Sequence, residues 1–549
     1  MIRNLLRKSF GLIKLIPGFL LWASFPPMGE KMDCLFALAP LLWFARTGGI
    51  DFRRRTHGTV DWPRPPSVAV RSAKLWFANG FFFWFATLAW MPAIIKNGGP
   101  WPLVVLGWGA LSAYCALYFA AFGYLSAQAW GWAKAGGYWR RLVALLVVEP
   151  VLWAGLELLR ARLFGGFAWN QLGVAPVNAG FGAPAALGGV YLVSALVVLV
   201  NGTIASIAER MYRPTAVGLP NWARSIETFL PLLLVWGAFA ASKPFVVQPA
   251  AGGDTLRVAL IQRNFPSVFE RGRDEDPVAV YERLMPVVHR TKPELVVLPE
   301  SALCEFAALV NSTRAQYFAD WLGGEEGAAV LMGGNRRADG RDYNSAGLYT
   351  TDPARPLDPM LAVQVYDKVH LVPFGEFIPL DKWIPVLQRF APVGSCWPGE
   401  LKLLNAKVPL GVGICYEDTD SAQVRRLAEM GARALCFITN DSWFSRSDEA
   451  VQHAWQVVAR AIETGLPIVR VGNSGVTGTI AADGTASWLK GSDGRELVDR
   501  AATMCDELDL GAATRAPTPY VRLGDKPLFF AFLLILAGVC VRAWRLRRG

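Results

Sequence analysis

The chain predicts two unlike parts: a multi-spanning α-helical membrane domain and an α/β extracytoplasmic domain. Three observations point there. Seven apolar stretches precede residue 247 and an eighth follows residue 526. Only 18% of the 549 residues are charged and 53% are hydrophobic, where average soluble domains carry about 25% charged residues. The charge is also segregated. Residues 251–522 hold 28 Lys+Arg against 35 Asp+Glu, a net of −7, which leaves +18 of the overall +11 in the apolar remainder. A basic excess confined to the apolar parts is what membrane topology signals produce. It argues against a nucleic-acid surface, where the basic residues would line a polar groove. The high apolar content excludes a disordered chain.

The apolar stretches run approximately over 9–25, 34–46, 74–95, 102–130, 141–159, 187–208, 228–246 and 527–543. A helix needs about 20 largely apolar residues to cross a bilayer, and the third, fourth, sixth and seventh have them. The second, Cys34 to Arg46, is short and fits half of a re-entrant hairpin with the first. No convincing small-x-small cleavage site follows the first stretch, so it reads as an anchor. With the N-terminus placed inside, alternate loops hold twenty Lys and Arg on the inner side. The outer side holds five: Lys31, Lys96, Arg160, Arg162 and Lys243. That bias puts both termini in the cytoplasm and the block after residue 246 outside. The expected organisation is a membrane domain over 1–246 with about seven helices, an outer domain over 247–522, and a terminal helix with a basic tail over 523–549. Glu149 and Glu157 of the fifth span lie near one helical face and read either as candidates for a substrate path or, with Pro150 beside Glu149, as the end of a kinked segment.

From Arg257 the texture changes. RVALIQ, ELVVLPE, AAVLMGG, GVGICYE, ALCFITND and PIVRVGN read as strands. Pro277–Lys292, Ala422–Gly431 and Ala450–Gly465 read as helices between them. Near-continuously apolar strands separated by helices imply a sheet covered on both faces. Reactive side chains fall at strand ends, where a rigid sheet aims them at a shared crevice. Glu300 closes LVVLPE, Cys415 closes GVGIC, and Lys368 sits in YDKVHLVPFGEF. The exit after Cys415 resembles a nucleophile elbow. Cys436, in the similar context ALCFITND, reads as a core residue. His370, two residues from Lys368, raises a Cys-His alternative.

The ordered set PES (299–301), YDKVHLVPFGEFIP (366–379) and ICYED (414–418) resembles the nitrilase superfamily, with its Glu-Lys-Cys triad in that chain order. Within it, HLVPFGE, NDSWF (440–444), QHAWQVVARAIETG (452–465), VRVGNSG (469–475) and the loop GGFAWNQLG (165–173) resemble the apolipoprotein N-acyltransferases of bacterial envelopes. Two departures stand out. The family's Lys-Trp pair after its Gln-x-Asn motif is missing, with Phe269 nearest to that place, and Leu466 stands where an Arg is usual.

The resemblance implies a nitrilase-like αββα sandwich on the outer face of the inner membrane. It implies a phospholipid as acyl donor and the diacylglyceryl cysteine of an apolipoprotein as acceptor. Catalytic roles would fall to Glu300, Lys368 and Cys415, with Glu376, Tyr416 and Glu417 supporting them. A thiol is mostly protonated at neutral pH, so Cys415 needs a base, and Glu300 is the expected one. Lys368 is the expected oxyanion partner and a Cys415 thioester the expected intermediate. No cofactor is expected: the sequence shows no phosphate loop of Walker or dinucleotide type. No metal is expected either, since the four His and eight Cys show no zinc spacing. A disulfide among Cys304, Cys396, Cys436 and Cys505 stays open. The competing readings are a membrane-tethered nitrilase-type amidase with water as acceptor, and a scaffold or transporter whose outer domain has lost activity. Retention of all three triad residues disfavours the second.

Overall fold

The computed structural model describes residues 13–48, 67–212, 220–246, 253–265, 277–303, 308–324, 327–350, 362–378, 395–444, 447–512 and 516–548. The chain divides into two compact units. One comprises Met1–Ala89, Leu106–Lys243 and Asp525–Gly549; the other comprises Trp90–Val105 and Pro244–Gly524. Trp90–Val105 thus groups with the second unit, apart from the helices on either side of it in the chain.

The first unit is helical. Its elements are α1 (Ile16–Ala23), α2 (Cys34–Thr47), α3 (Val68–Thr87), α4 (Trp101–Ala135), α5 (Tyr138–Arg160), α6 (Ala185–Tyr212), α7 (Asn221–Ser242) and a C-terminal helix, Lys526–Arg548. Among the described residues five helices are long and apolar enough to cross a membrane: Val68–Asn97, Trp101–Ala135, Tyr138–Arg160, Ala185–Tyr212 and Asn221–Phe245. The first two apolar stretches form shorter helices. Pro26 and Pro27 follow α1 closely and cannot donate the backbone hydrogen bonds that would continue it. In α5 a π-helical turn at Ala144–Val148 leads into Pro150 and accommodates its missing N–H.

Small residues let the helices approach. A Cβ on Gly123 would sit 2.3 Å from the Trp76 ring, and one on Gly155 would sit 2.2 Å from Phe532 of the C-terminal helix. Polar groups inside this unit are paired. Arg46 meets Glu149 at 2.5 Å and also donates to the Gly202 carbonyl and the Ser206 hydroxyl. Ser126 and Trp130 donate to the other Glu149 oxygen. Glu149 thus closes a buried ion pair. Glu157 accepts the Leu172 N–H at 2.8 Å, and Arg160 donates to the carbonyls of Phe167 and Trp169. These two side chains hold the GGFAWNQLG loop onto the end of α5.

The second unit is built on two six-stranded sheets. The first has the order β12-β1-β2-β3-β4-β5 and the second β11-β10-β9-β8-β7-β6. The strands are β1 (Asp254–Gln262), β2 (Leu295–Val297), β3 (Ala329–Ala338), β4 (Arg341–Thr350), β5 (Ala362–Asp367), β6 (Leu403–Asn405), β7 (Pro409–Ile414), β8 (Ala434–Thr439), β9 (Ile468–Gly472), β10 (Gly478–Ile480), β11 (Ala486–Trp488) and β12 (Ala502–Gly511). The central strands β1-β2-β3 and β7-β8-β9 run parallel, and their flanks run antiparallel.

Side-chain parity explains why two sheets form where the strands alone suggested one. Leu256, Val258 and Leu260 of β1 share a core with Leu410, Val412 and Ile414 of β7 and with Cys436 and Ile438 of β8. The alternate residues Ala259, Ile261, Val296 and Leu298 pack under α8 (Pro277–Arg290) and α9 (Thr313–Gly323). Leu435 and Phe437 pack under α10 (Ser421–Glu429) and α11 (Glu449–Thr464). The central parallel strands are apolar on both faces because one face meets the other sheet and the other meets a helix. The result is an αββα sandwich.

Gly123→Ala is expected to lower the melting temperature of the detergent-purified protein by several degrees, since overpacking costs ~1–3 kcal/mol. Gly109→Ala, which meets nothing within 4 Å, is expected to leave it unchanged or slightly raised. Equal shifts for the two would show that the Gly123–Trp76 contact does not limit packing.

Candidate active site

Three strand ends deliver the expected residues. β2 runs on through Leu298 and Pro299 to Glu300, and the chain turns at Ser301 with φ 62°. Gly333 permits this, because a Cβ there would lie 2.6 Å from the Glu300 Cα. β5 ends at Asp367 and hands on to Lys368. Arg336 grips the Asp367 carboxylate with two hydrogen bonds of 2.9 and 2.6 Å, and Ser345 donates to it at 2.6 Å. β7 ends at Ile414, and Cys415 opens a short 3₁₀ turn, Cys415–Thr419, with φ 54°. A left-handed backbone at a non-glycine residue stores strain, and such strain gathers at functional sites.

The structure brings Glu300, Lys368, Cys415 and Glu376 together. Lys368 Nζ donates to Glu376 Oε1 at 2.9 Å. Asn344, on β4, donates from Nδ2 to Glu300 Oε1 at 2.7 Å and to Glu376 Oε1 at 2.6 Å, so one amide orients both carboxylates. Glu376 Oε2 accepts the Val372 N–H, which folds the PFGE loop back on itself. Lys368 is 1% exposed and Glu300 8%. Burial pushes the Glu300 carboxyl up to about 7; the Lys368 ammonium opposes this and the Glu376 charge adds to it. Burial also raises the Cys415 thiol well above its ordinary value, reinforced by Glu300 and opposed by Lys368. Burial would lower the Lys368 ammonium, but Glu376, Cys415 and Glu300 outweigh it and raise it. At neutral pH the site therefore holds a charged ammonium, a thiol and a carboxyl poised near its midpoint.

Glu417 is fully buried, and its carboxylate is saturated with donors. Oε1 accepts from the N–H groups of Val369 and His370 and from Gln423, Oε2 accepts from the Ile414 N–H, and the Tyr366 hydroxyl lies 2.9 Å from both oxygens. With its lone pairs taken, Glu417 positions the cysteine turn. The Tyr416 ring stands edge-on to His370 at 5.5 Å. His370 Nδ1 lies 3.4 Å from Asp420. Cys436 is buried in the intersheet core, where burial lifts its thiol to about 12. Cys396, Cys436 and Cys505 are free thiols; Cys304 and Phe269 lie outside the described residues.

Several residues of the site went unread in the sequence. Asn344 is one, because RDYNSAGLYT lacks the apolar run of a buried strand. The others form a buried ionic cluster behind Cys415. His453 on α11 lies 2.9 Å from Asp418 through Nε2 and 3.1 Å from Asp441 through Nδ1, and Arg470 on β9 reaches both carboxylates. Burial works against charge on His453, but Asp418 and Asp441 hold the imidazole up at about 10, so it is cationic at neutral pH. Asp441, Glu449 and His453 present donor atoms within 4.8 Å of one another, a spacing that can hold a cation. Arg470 and His453 already supply two positive charges there.

A sandwich of this order, with Glu, Lys and Cys at three strand ends and a membrane-helical unit in the same chain, defines a nitrilase-type membrane protein. Residues 257–501 match the carbon-nitrogen hydrolase family model and residues 17–203 match the apolipoprotein N-acyltransferase N-terminal domain. An apolipoprotein N-acyltransferase of Geobacter metallireducens is 30% identical over 553 residues, covering 98% of this chain and 95% of that one. That of Methylococcus capsulatus is 31% identical over 78% of each chain, and that of Haemophilus influenzae 28% identical over 86% of each. The chain belongs to the apolipoprotein N-acyltransferase family.

Glu417→Gln puts an amide donor among donors. It is expected to destabilise the outer domain by roughly 2–4 kcal/mol and to reduce turnover at least tenfold, read by thermal unfolding and by activity. A variant that melts and turns over like the parent would show that the carboxylate does not hold the turn.

Proposed function

We propose that the protein transfers a fatty acyl chain from a phospholipid to the α-amino group of the N-terminal diacylglyceryl cysteine of apolipoproteins. The observation that carries this reading is the convergence of Glu300, Lys368 and Cys415 in a chain whose membrane part matches the N-acyltransferase family. The outer domain is placed on the periplasmic face of the inner membrane and both termini in the cytoplasm, a reading supported by the Lys and Arg bias of the loops.

The reaction runs in two halves. Glu300, as carboxylate, takes the Cys415 proton while the sulfur attacks the ester carbonyl of the phospholipid. The Lys368 ammonium faces the developing oxyanion, and its bond to Glu376 keeps it charged and aimed. Collapse expels the glycerol oxygen, which takes the proton back from Glu300 and leaves a thioester on Cys415. In the second half Glu300 accepts a proton from the incoming ammonium and releases it to solvent, the free amine attacks the thioester, and the proton that its nitrogen then loses passes through Glu300 to the departing sulfur. The nucleophile is regenerated, so the kinetics are ping-pong. The membrane-helical unit favours a lipid donor and a lipidated acceptor over the water-accepting amidase reading.

Incubation with phospholipid alone is expected to add one acyl chain, by mass spectrometry, to the peptide containing Cys415, and hydroxylamine should remove it. Cys415→Ala and Cys415→Ser should abolish labelling and turnover, and Cys436→Ala should change either by less than threefold. An adduct on Cys436, or turnover in the Cys415 variants, would falsify the assignment. Free fatty acid accumulating at the full turnover rate without an acceptor peptide would favour the hydrolase reading.

Because Glu300 must be ionised to accept the proton and its carboxyl is held up at about 7, thioester formation should rise with pH through about 7. Glu300→Gln should lower that rate by about 10² or more and remove the inflection. An inflection that persists in the glutamine variant would assign it to another group.

A further inference from the structure

The strand register raises a question about Cys415. β7 and β8 are parallel neighbours paired through Ile414 and Ile438, so the next residues, Cys415 and Thr439, leave the two strands side by side. Thr439 is thereby the neighbour across the strand ends whose side chain can donate to the Cys415 sulfur and favour its charged form. It also donates to Asp441 Oδ1 at 2.8 Å. A hydroxyl has a single hydrogen, so it cannot serve both acceptors once the sulfur is charged.

Asp441 is built to give that hydrogen up. Its Oδ1 also faces His453 Nδ1 at 3.1 Å, and its Oδ2 faces Arg470 Nη2 at 3.5 Å. His453 is held in turn by Asp418 through Nε2, and Glu449 lies 3.7 Å from its Nδ1. Two cationic partners remain with the carboxylate when the hydroxyl rotates away, so no buried charge is left unpaired. Glu300, Lys368, Asp441 and Thr439 all act on the sulfur.

We propose that Thr439 is a further catalytic residue: its hydroxyl hydrogen points to Asp441 while Cys415 is a thiol, and turns to the sulfur when Cys415 becomes a thiolate. The proton leaves Sγ for the Glu300 carboxylate, no bond to Thr439 breaks, and the hydroxyl hydrogen only rotates. Return of the proton to the sulfur, or its acylation, restores the bond to Asp441. The Asp441–His453–Asp418 chain positions the hydroxyl and keeps its resting acceptor charged. This inference rests on Cys415 being the nucleophile.

The test is alkylation of Cys415 by iodoacetamide across pH, read on the Cys415 peptide by mass spectrometry in the full-length detergent-purified protein. It needs no phospholipid, so its outcome is separate from that of the acyl-labelling experiment. Thr439→Val keeps the shape and removes the hydroxyl. It is expected to slow alkylation at neutral pH about tenfold, within the range of a hydrogen bond to a charged group, and to move the profile about one pH unit upward. Thr439→Ser should stay within about twofold of the parent with an unshifted profile. In phospholipid labelling the valine variant should lose rate constant at saturating lipid with little change in half-saturation. If the valine variant fails to fold, Thr439→Ala should give the same shift. A hydroxyl-free variant with the parent's profile, or a serine variant as slow as the valine one, would overturn the proposal.

Discussion

The site depends on one buried carboxylate. Glu417 follows the cysteine on the turn leaving β7, in the second sheet, yet most of its partners lie on or just beyond β5, in the first. It accepts from the backbone on either side of the sandwich seam: Ile414 before Cys415, and Val369 and His370 after Lys368. A charge buried without donors would be very costly. Saturated, it ties the Lys368 strand end to the Cys415 strand end and holds the cysteine in a backbone conformation it would not otherwise favour.

Given that tether, the charge pattern follows. Lys368 is buried beside two carboxylates, Glu376 bonded to it and Glu300 facing it, and the Asn344 amide bridges the two acids. One ammonium cannot fully neutralise two carboxylates, and the imbalance falls on Glu300, which makes no bond to Lys368 Nζ of the kind Glu376 makes. Environment thus gives two chemically identical acids different places: Glu376 bonds the lysine, and burial holds Glu300 near neutrality. His370 stands outside this arrangement, against Asp420 and Tyr416.

Much of this was legible in the chain. The central parallel strands and α8, α10 and α11 were read within a few residues, because buried parallel strands are short apolar runs and their covering helices are amphipathic. Strands β4 and β12 were not. RDYNSAGLYT and ATMCDELDLG carry polar and acidic residues on the antiparallel flanks, where alternation is diluted. Asn344 was lost with β4. The Asp418–Asp441–His453–Arg470 cluster was invisible for a different reason: its members come from a turn, a strand exit, a helix and a strand that only the folded sandwich brings together. In the membrane unit the apolar stretches were found and the second was already short, but hydropathy could not tell where α1 stops or that Glu149 answers Arg46.

Two cysteines, one within β8 and one just past the end of β7, show how little separates core from chemistry. Cys436 lies opposite Val412 in the register, two residues before Ile438, and so shares the parity of the side chains that fill the intersheet core. Cys415 would have the opposite parity if β7 continued, pointing with Gly413 toward the helix layer. It does not continue. The strand ends at Ile414, the backbone passes into the left-handed region at Cys415, and the sulfur swings to where Glu300, Lys368 and Thr439 converge. Local composition is nearly the same in GVGICYED and ALCFITND. One residue of register, and the turn that Glu417 enforces, make one sulfur inert packing and the other the centre of the site.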